Sequence, residues 1–306
     1  MRIASFLASG TEIVHALGLG DALVAISHEC DFPADVLDRP RLSRPRFDPA
    51  GLDSGAIDRA VRDAMARHGS VYEVDGALLE RLQPDLVLTQ GVCEVCAVPT
   101  PGVIDEVRTR GVAARVESLD AHTLADILDS IAQVAAAAGV PERGARLAAS
   151  LRARIELVRD AVKGASRPRV LAIEWLDPPF MPGHWVPEMI EAAGGDNLVG
   201  DAGAHSEQAP WSALEGLDPD VLLIMPCGYG LAASAADANR HAARLERVAP
   251  RAIAAGRAFV VDGSAYMNRS GPRVVDGVEL LAGLLHPECV TAPPTDRAAV
   301  WQPPRA

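Results

Sequence analysis

The sequence predicts an α/β protein of two lobes, each built on a mainly parallel sheet, joined by a long rigid helix. Three observations carry this expectation: a helix-turn-strand pattern that occurs twice, a series of short apolar runs, and a long amphipathic helical stretch between the copies. At 306 residues the chain exceeds the usual size of one domain, so two domains of roughly 100 to 150 residues are expected. The lobes are placed at 1–138 and 167–306, with a connecting helix at 139–166.

The first copy of the pattern opens with Glu12-Ile13-Val14-His15-Ala16-Leu17-Gly18-Leu19-Gly20-Asp21, a helix stopped by glycine and followed by a strand. Glu188-Met189-Ile190-Glu191-Ala192-Ala193-Gly194-Gly195-Asp196 repeats it. Further on, Leu79-Glu80-Arg81-Leu82-Gln83-Pro84-Asp85-Leu86 is echoed by Leu214-Glu215-Gly216-Leu217-Asp218-Pro219-Asp220-Val221. Each of these segments predicts a helix, a Pro-Asp turn and a buried strand.

Apolar runs at Ile3 to Leu7, Ala22 to Ile26, Ala113 to Val116, Val170 to Ile173 and Phe259 to Val261 predict further parallel strands. Residues 33 to 75 interrupt the first copy, and within them Ile57, Val61, Ala64 and Met65 mark an extra amphipathic helix. Between the lobes, Leu124, Ile127, Leu128, Ile131 and Val134, then Leu147, Leu151, Ile155 and Val158, recur at three- and four-residue steps. Gly139-Val140-Pro141 breaks that run once. A helical connection limits hinge motion, so closure on a ligand is expected to be small.

Composition narrows the function. A net charge of −12 opposes binding to phosphate backbones, where affinity comes from Lys and Arg displacing counterions. No apolar stretch approaches the roughly 18 to 20 residues needed to span a bilayer. The amino terminus, interrupted by Thr11-Glu12, lacks the pattern of a secretory signal, and a cytoplasmic location is expected from it. Five cysteines, an odd number in a chain too long to need staples, predict reduced thiols. No nucleophile elbow, phosphate loop, His-Glu-x-x-His pair or dinucleotide fingerprint is present, so no enzymatic activity and no required cofactor are expected.

In open α/β sheets ligands bind beyond the carboxyl ends of the strands, and the unusual residues cluster there. Ser27-His28-Glu29-Cys30-Asp31 follows one strand and Thr89-Gln90-Gly91-Val92-Cys93-Glu94-Val95-Cys96 another. In the second half, the segment from Glu174 through Trp175, Phe180 and His184 to Trp185 follows a third, Pro226-Cys227-Gly228-Tyr229 a fourth, and Tyr266 and Arg269 a fifth. Aromatic residues are only 4% of the chain, yet three of its four tryptophans, Trp175, Trp185 and Trp211, fall in or near these segments. They suit a flat hydrophobic ligand face or, alternatively, packing between the lobes. His184 suits a metal or corrin cobalt, or a hydrogen bond in the cleft wall. His28, Cys30, Cys93 and Cys96 form a candidate metal set, which would make the chain a metal carrier or a thiol-dependent enzyme. Against this, free cysteine is also a common small core residue, and Glu94 between two thiols opposes thiolate formation.

Ser9-Gly10-Thr11-Glu12, Asp31-Phe32-Pro33, Leu82-Gln83-Pro84-Asp85-Leu86-Val87, Pro178-Pro179-Phe180 and Arg269-Ser270-Gly271-Pro272-Arg273 carry a resemblance over almost the whole chain. With these motifs it resembles the vitamin B12 and iron-siderophore substrate-binding proteins of ABC importers, the class of periplasmic-binding-protein folds joined by a rigid helix. The cobalamin-binding members look most similar. The resemblance implies a cobalamin, corrinoid or other tetrapyrrole-like ligand in the interlobe cleft, with Glu29, Gln90, Trp175, Trp211, Tyr266 and Arg269 among its lining. It also implies a docking glutamate on each lobe for an ABC permease. Those positions are Ala77 and Ser212 here, which argues against permease docking.

Overall fold

The structure, a computed structural model, describes residues 1–92, 98–291, 294 and 296–304. In the first lobe β1 (Ile3–Ser5), α1 (Ala8–Ala16), β2 (Leu23–Ala25), β3 (Ser43–Pro45), α2 (Ser54–His68), β4 (Tyr72–Val74), α3 (Gly76–Leu82), β5 (Leu86–Thr89), α4 (Thr100–Thr109) and β6 (Arg115–Ser118) follow in order. Strands β2, β1, β5 and β6 lie side by side in one parallel sheet. β3 and β4 form a separate antiparallel pair, and α2 lies on the chain between them.

The stretch between the main sheets is two helices, α5 (Leu124–Ala137) and α6 (Pro141–Ala161). Thr123 caps α5 by accepting from the Asp126 amide, while the Asp126 carboxylate accepts from the Thr123 amide, so two orphan donors are satisfied together. Gly139, with φ 73°, makes the left-handed turn after α5, and Pro141 starts α6 where no amide donor is needed.

The second lobe runs β7 (Arg169–Ile173), β8 (Trp175–Leu176), β9 (Pro179–Met181), α7 (Val186–Ala192), β10 (Asp196–Asn197), β11 (Glu207–Gln208), α8 (Trp211–Leu214), β12 (Val221–Ile224), α9 (Leu231–Arg240), α10 (Ala242–Val248), α11 (Pro250–Ala254), β13 (Ala258–Val261), α12 (Gly263–Tyr266), α13 (Val274–Leu285) and β14 (Ala298–Val300). Its main sheet has the order β10-β7-β12-β13-β14, parallel but for β14. β11, β9 and β8 form a small antiparallel sheet where the sequence pattern shows only loop, because strands of two or three residues are too short to display a period. β1 is also shorter than its apolar run: it ends at Ser5, and α1 opens at Ala8.

The duplicated Pro-Asp turns make the same contacts. Asp85 accepts from the Arg2 amide at 2.7 Å and Asp220 from the Arg169 amide at 2.8 Å, so each turn fixes the first strand of its own sheet. The two arginine side chains then donate to the carbonyls of Leu82 and Leu217. Gln83 and Asp218, just before the two prolines, share a left-handed φ of 41° and 46°.

One apolar core runs through both lobes. It joins Ile3, Ile13 and Leu88 of the first to Ile131 and Ile155 of the connecting helices and to Met189, Leu223 and Leu281 of the second. Arg154 of α6 adds charged hydrogen bonds to Asp276 and Glu279 of α13. A hinge between the lobes would have to break this shared core, so the fold resists large relative motion.

Candidate ligand cleft

Loops beyond the carboxyl ends of the two main sheets meet, since Arg269, after β13, bonds to Glu29 and Asp31, after β2. The residues around this junction sort into three groups. The first is an aromatic wall on the second lobe. Trp175 and Phe180 pair across β8 and β9, so their side chains share one face of the small sheet. Tyr229, in the loop after β12, brings its ring to 5.2 Å from that of Trp175, and all three aromatic side chains are only partly buried. Burial pushes the Tyr229 hydroxyl up to about 12, so it stays protonated and able to donate. Trp211 is covered by Arg244, whose guanidinium lies 5.8 Å over its ring and 3.7 Å from Asp177. Tyr229 is not among the ligand-lining residues expected from the sequence, although its segment, Pro226-Cys227-Gly228-Tyr229 beyond an apolar strand, is one of the strand ends where unusual residues cluster.

The second group is a charged network between the lobes. Arg269, 7% exposed, donates to the Glu29 carbonyl at 3.1 Å, to Asp31 at 3.0 Å and to both the carbonyl and hydroxyl of Ser264. Its guanidinium is therefore committed to holding Glu29 and Asp31 against α12, which leaves little of it to meet a ligand. Arg273 grips Glu12 and also reaches Asp31 at 3.4 Å. Burial lifts the Glu12 carboxyl above its ordinary range, against the opposing pull of Arg273. The sequence alone assigns neither Glu12 nor Arg273 a place in the site. The usable signal is a lone carboxylate within seven consecutive buried residues of α1, which demands a buried cation.

His28 places Nδ1 2.8 Å from the Ser43 hydroxyl and Nε2 3.1 Å from Glu29 Oε1, and its hydrogen bond holds the Glu29 carboxyl below its ordinary range. Gln90 is buried at the end of β5, where it bridges to Pro99. The Cys30 thiol is buried 3.1 Å from the Thr11 hydroxyl, and burial raises its pKa. Cys30 and His28 are thus held by other partners. Cys93 and Cys96 lie outside the described residues. Among the described residues no group of three or more His, Cys, Asp or Glu side chains is arranged to hold a metal ion, so the metal set His28, Cys30, Cys93, Cys96 gains no support.

The third group is histidine-rich. The His184 ring lies 5.5 Å from that of His122 and 5.2 Å from that of His205, bringing one first-lobe imidazole against two from the second. Its backbone sits at φ 50°, held by hydrogen bonds with Ala204 and Gly203. Burial, assisted by the two neighbouring imidazoles, lowers the His184 pKa to about 4, so it is neutral near pH 7. The two remaining sequence-predicted aromatics differ in burial, Trp185 being buried and Tyr266 partly exposed. Trp185 is buried in the shared core and donates from Nε1 to the Met267 carbonyl at 2.7 Å. Tyr266 packs against the same core with the Arg297 guanidinium 5.0 Å over its ring.

A family model for periplasmic binding proteins matches residues 3–260. The chain belongs to the periplasmic binding protein family. It is 24% identical over 281 residues to the vitamin B12-binding protein of Vibrio cholerae, covering 91% of this chain and 86% of that one. It is 22% identical over 298 residues to an uncharacterized ABC transporter substrate-binding lipoprotein, YvrC, of Bacillus subtilis, covering 94% of this chain and 80% of that one. Among solved structures, a periplasmic heme-binding protein from Pseudomonas aeruginosa superposes with a TM-score of 0.74 at 20% identity, covering 100% of this chain and 99% of that one. The periplasmic vitamin B12-binding protein BtuF of Vibrio cholerae superposes with a TM-score of 0.68 at 22% identity, covering 93% and 96%. These relatives confirm the α/β binding-protein fold, and members of the family are substrate-binding proteins rather than enzymes. They also correct the expected cytoplasmic location: the relatives are named as a lipoprotein and as periplasmic proteins. No helix among the described residues is long and apolar enough to cross a membrane.

Proposed function

We propose that this periplasmic binding protein holds cobalamin or a related corrinoid in the cleft between its lobes, which we take as 1–138 and 167–306 tied by 139–166. The observation that carries this reading is the aromatic wall, in which the rings of Trp175 and Tyr229 stand 5.2 Å apart and remain partly exposed at the strand ends. An aromatic face of this kind suits a flat macrocycle, and Tyr229 adds a hydroxyl donor at its edge. The vitamin B12-binding relatives span nearly the whole chain, which agrees with the same class of ligand.

Ala77 and Ser212 are exposed at the first turns of α3 and α8. Carboxylates that would dock on a permease are missing from both positions, so docking by that contact is not expected.

Absorbance titration of the purified chain with cyanocobalamin, cobinamide and hemin tests the ligand. Saturable shifts with the first two support the corrinoid reading. Saturation by hemin alone moves the assignment to heme, the ligand named for the Pseudomonas relative.

A further inference from the structure

The insertion between β3 and β4 lets α2 bridge the lobes, with its first turn set on the second. Further along the helix, Val61 and Met65 pack against the outer core of the first lobe, so the helix is anchored there by apolar contact. At its start, Ser54 is fully buried against α9 of the second lobe, and its hydroxyl donates to Asp237 Oδ1 at 3.0 Å. A hydroxyl has one proton to give, so His241 Nε2, 3.3 Å from the same oxygen, acts as donor to it. Gly55 follows, and a Cβ there would lie 2.7 Å from Asp177 Oδ2, so close seating beside β8 depends on the missing side chain. Arg62, two turns on, reaches Gln208 of β11 at 3.3 Å. α2 packs along β8, the strand that carries Trp175 of the aromatic wall.

We infer that α2 is a strap latched across the rim of the ligand cleft, pinned to the second lobe by the buried Ser54–Asp237–His241 cluster and released when ligand enters or leaves. The inference rests on the binding role proposed above. The two attachments of the strap differ in kind: apolar packing to its own lobe, and a few hydrogen bonds to the other. The second depends on a few polar groups that local opening would release to water. Asp237 is fully buried, its Oδ2 has no hydrogen-bond partner among the described residues, and burial raises its pKa. Arg240 and His241 lie 3.7 and 3.8 Å from its Oδ1, so the charge is compensated at a distance while Oδ2 is unsatisfied, and this incomplete satisfaction lowers the cost of an opening that leaves the shared core folded.

Hydrogen-deuterium exchange of the full chain, free of ligand at neutral pH, tests the latch. Ser54→Ala and Asp237→Ala should each raise exchange in the first half of α2 about tenfold while β7, β12 and β13 stay within roughly twofold of the parent. Asp237→Asn keeps an acceptor for Ser54 and should stay near the parent; an Asn variant as loose as the Ala variant overturns this hydrogen bond as the pin. Exchange in α2 that Ser54→Ala leaves unchanged, or that rises equally in the sheets, overturns the latch. If Asp237→Ala does not fold, Ser54→Ala decides alone. Stopped-flow mixing with cyanocobalamin then tests the gate: Ser54→Ala should speed association about tenfold, and an unchanged rate overturns the gating role. Parent protein that binds neither cyanocobalamin nor hemin overturns the ligand reading instead, while the exchange result still decides the latch.

Discussion

Arg273 of the second lobe holds both carboxylate oxygens of Glu12 in the first, at 2.6 and 3.0 Å, with Glu12 buried and Arg273 nearly so. The two-point geometry fixes the lobes in one relative orientation as well as attracting them. Arg273→Leu leaves the Glu12 charge uncompensated, and the expected loss is about 3 to 5 kcal/mol of unfolding free energy. Glu12→Leu combined with Arg273→Leu should lose less than the sum of the two single changes, because no unpaired charge then remains. Urea unfolding of the four proteins of this double-mutant cycle measures both effects.

His184 gives the stability a pH dependence with a definite sign. Its folded pKa, about 4, lies below the ordinary value of 6.5, so between these limits the unfolded chain binds more protons than the folded one. The contribution is therefore fully present above the ordinary histidine value and is lost as pH falls through the window. Melting temperature should drop over this range, and His184→Asn should flatten the slope. The partly exposed ring keeps the effect modest. A slope identical in the two proteins would show that other groups titrate instead.

Asp85 and Asp220 hold the leading edges of the two sheets by equivalent bonds to Arg2 and Arg169. Asp85→Ala and Asp220→Ala should each cost about 1 kcal/mol, read as a lower urea midpoint with an unchanged slope. Because the two contacts belong to separate sheets, the double substitution should be additive.

These turns also show why the fold was legible. A Pro-Asp step after a helix is a local signal, repeated with the same spacing, and its consequence is a local contact with the neighbouring strand. Buried parallel strands and the glycine stop at Gly139 are local in the same sense. The site was less legible because its side chains are shared between distant segments. By position Arg269 reads as a ligand anchor, but Asp31 and the Glu29 carbonyl, more than 200 residues away, occupy its donors. Trp185 shares a strand-end segment with Trp175, yet the backbone reversal at His184 turns it into the shared core. Ser54 and Asp237, which meet across the lobes, have no sequence pattern at all.

Trp175 and Trp185 provide the sharpest test of the proposed cleft, because two tryptophans ten residues apart should respond in opposite ways. Trp175 is partly exposed, its Nε1 donates to the Asp177 carbonyl at 3.2 Å, and its ring meets Tyr229. Trp175→Ala removes the face on which a macrocycle would lie, with an expected cost of about 2 kcal/mol in binding, roughly thirtyfold in Kd. Its stability should change little by comparison. Trp185→Phe loses the bond to the Met267 carbonyl in the core, so it should cost about 1 kcal/mol of stability and leave affinity unchanged. Trp211→Ala should fall between them, since its ring lies under Arg244. Titration with cyanocobalamin alongside urea unfolding reads both quantities on the same preparations. Unchanged affinity in Trp175→Ala, with loss of affinity in Trp185→Phe, would place the ligand away from the aromatic wall and on the core side of His184.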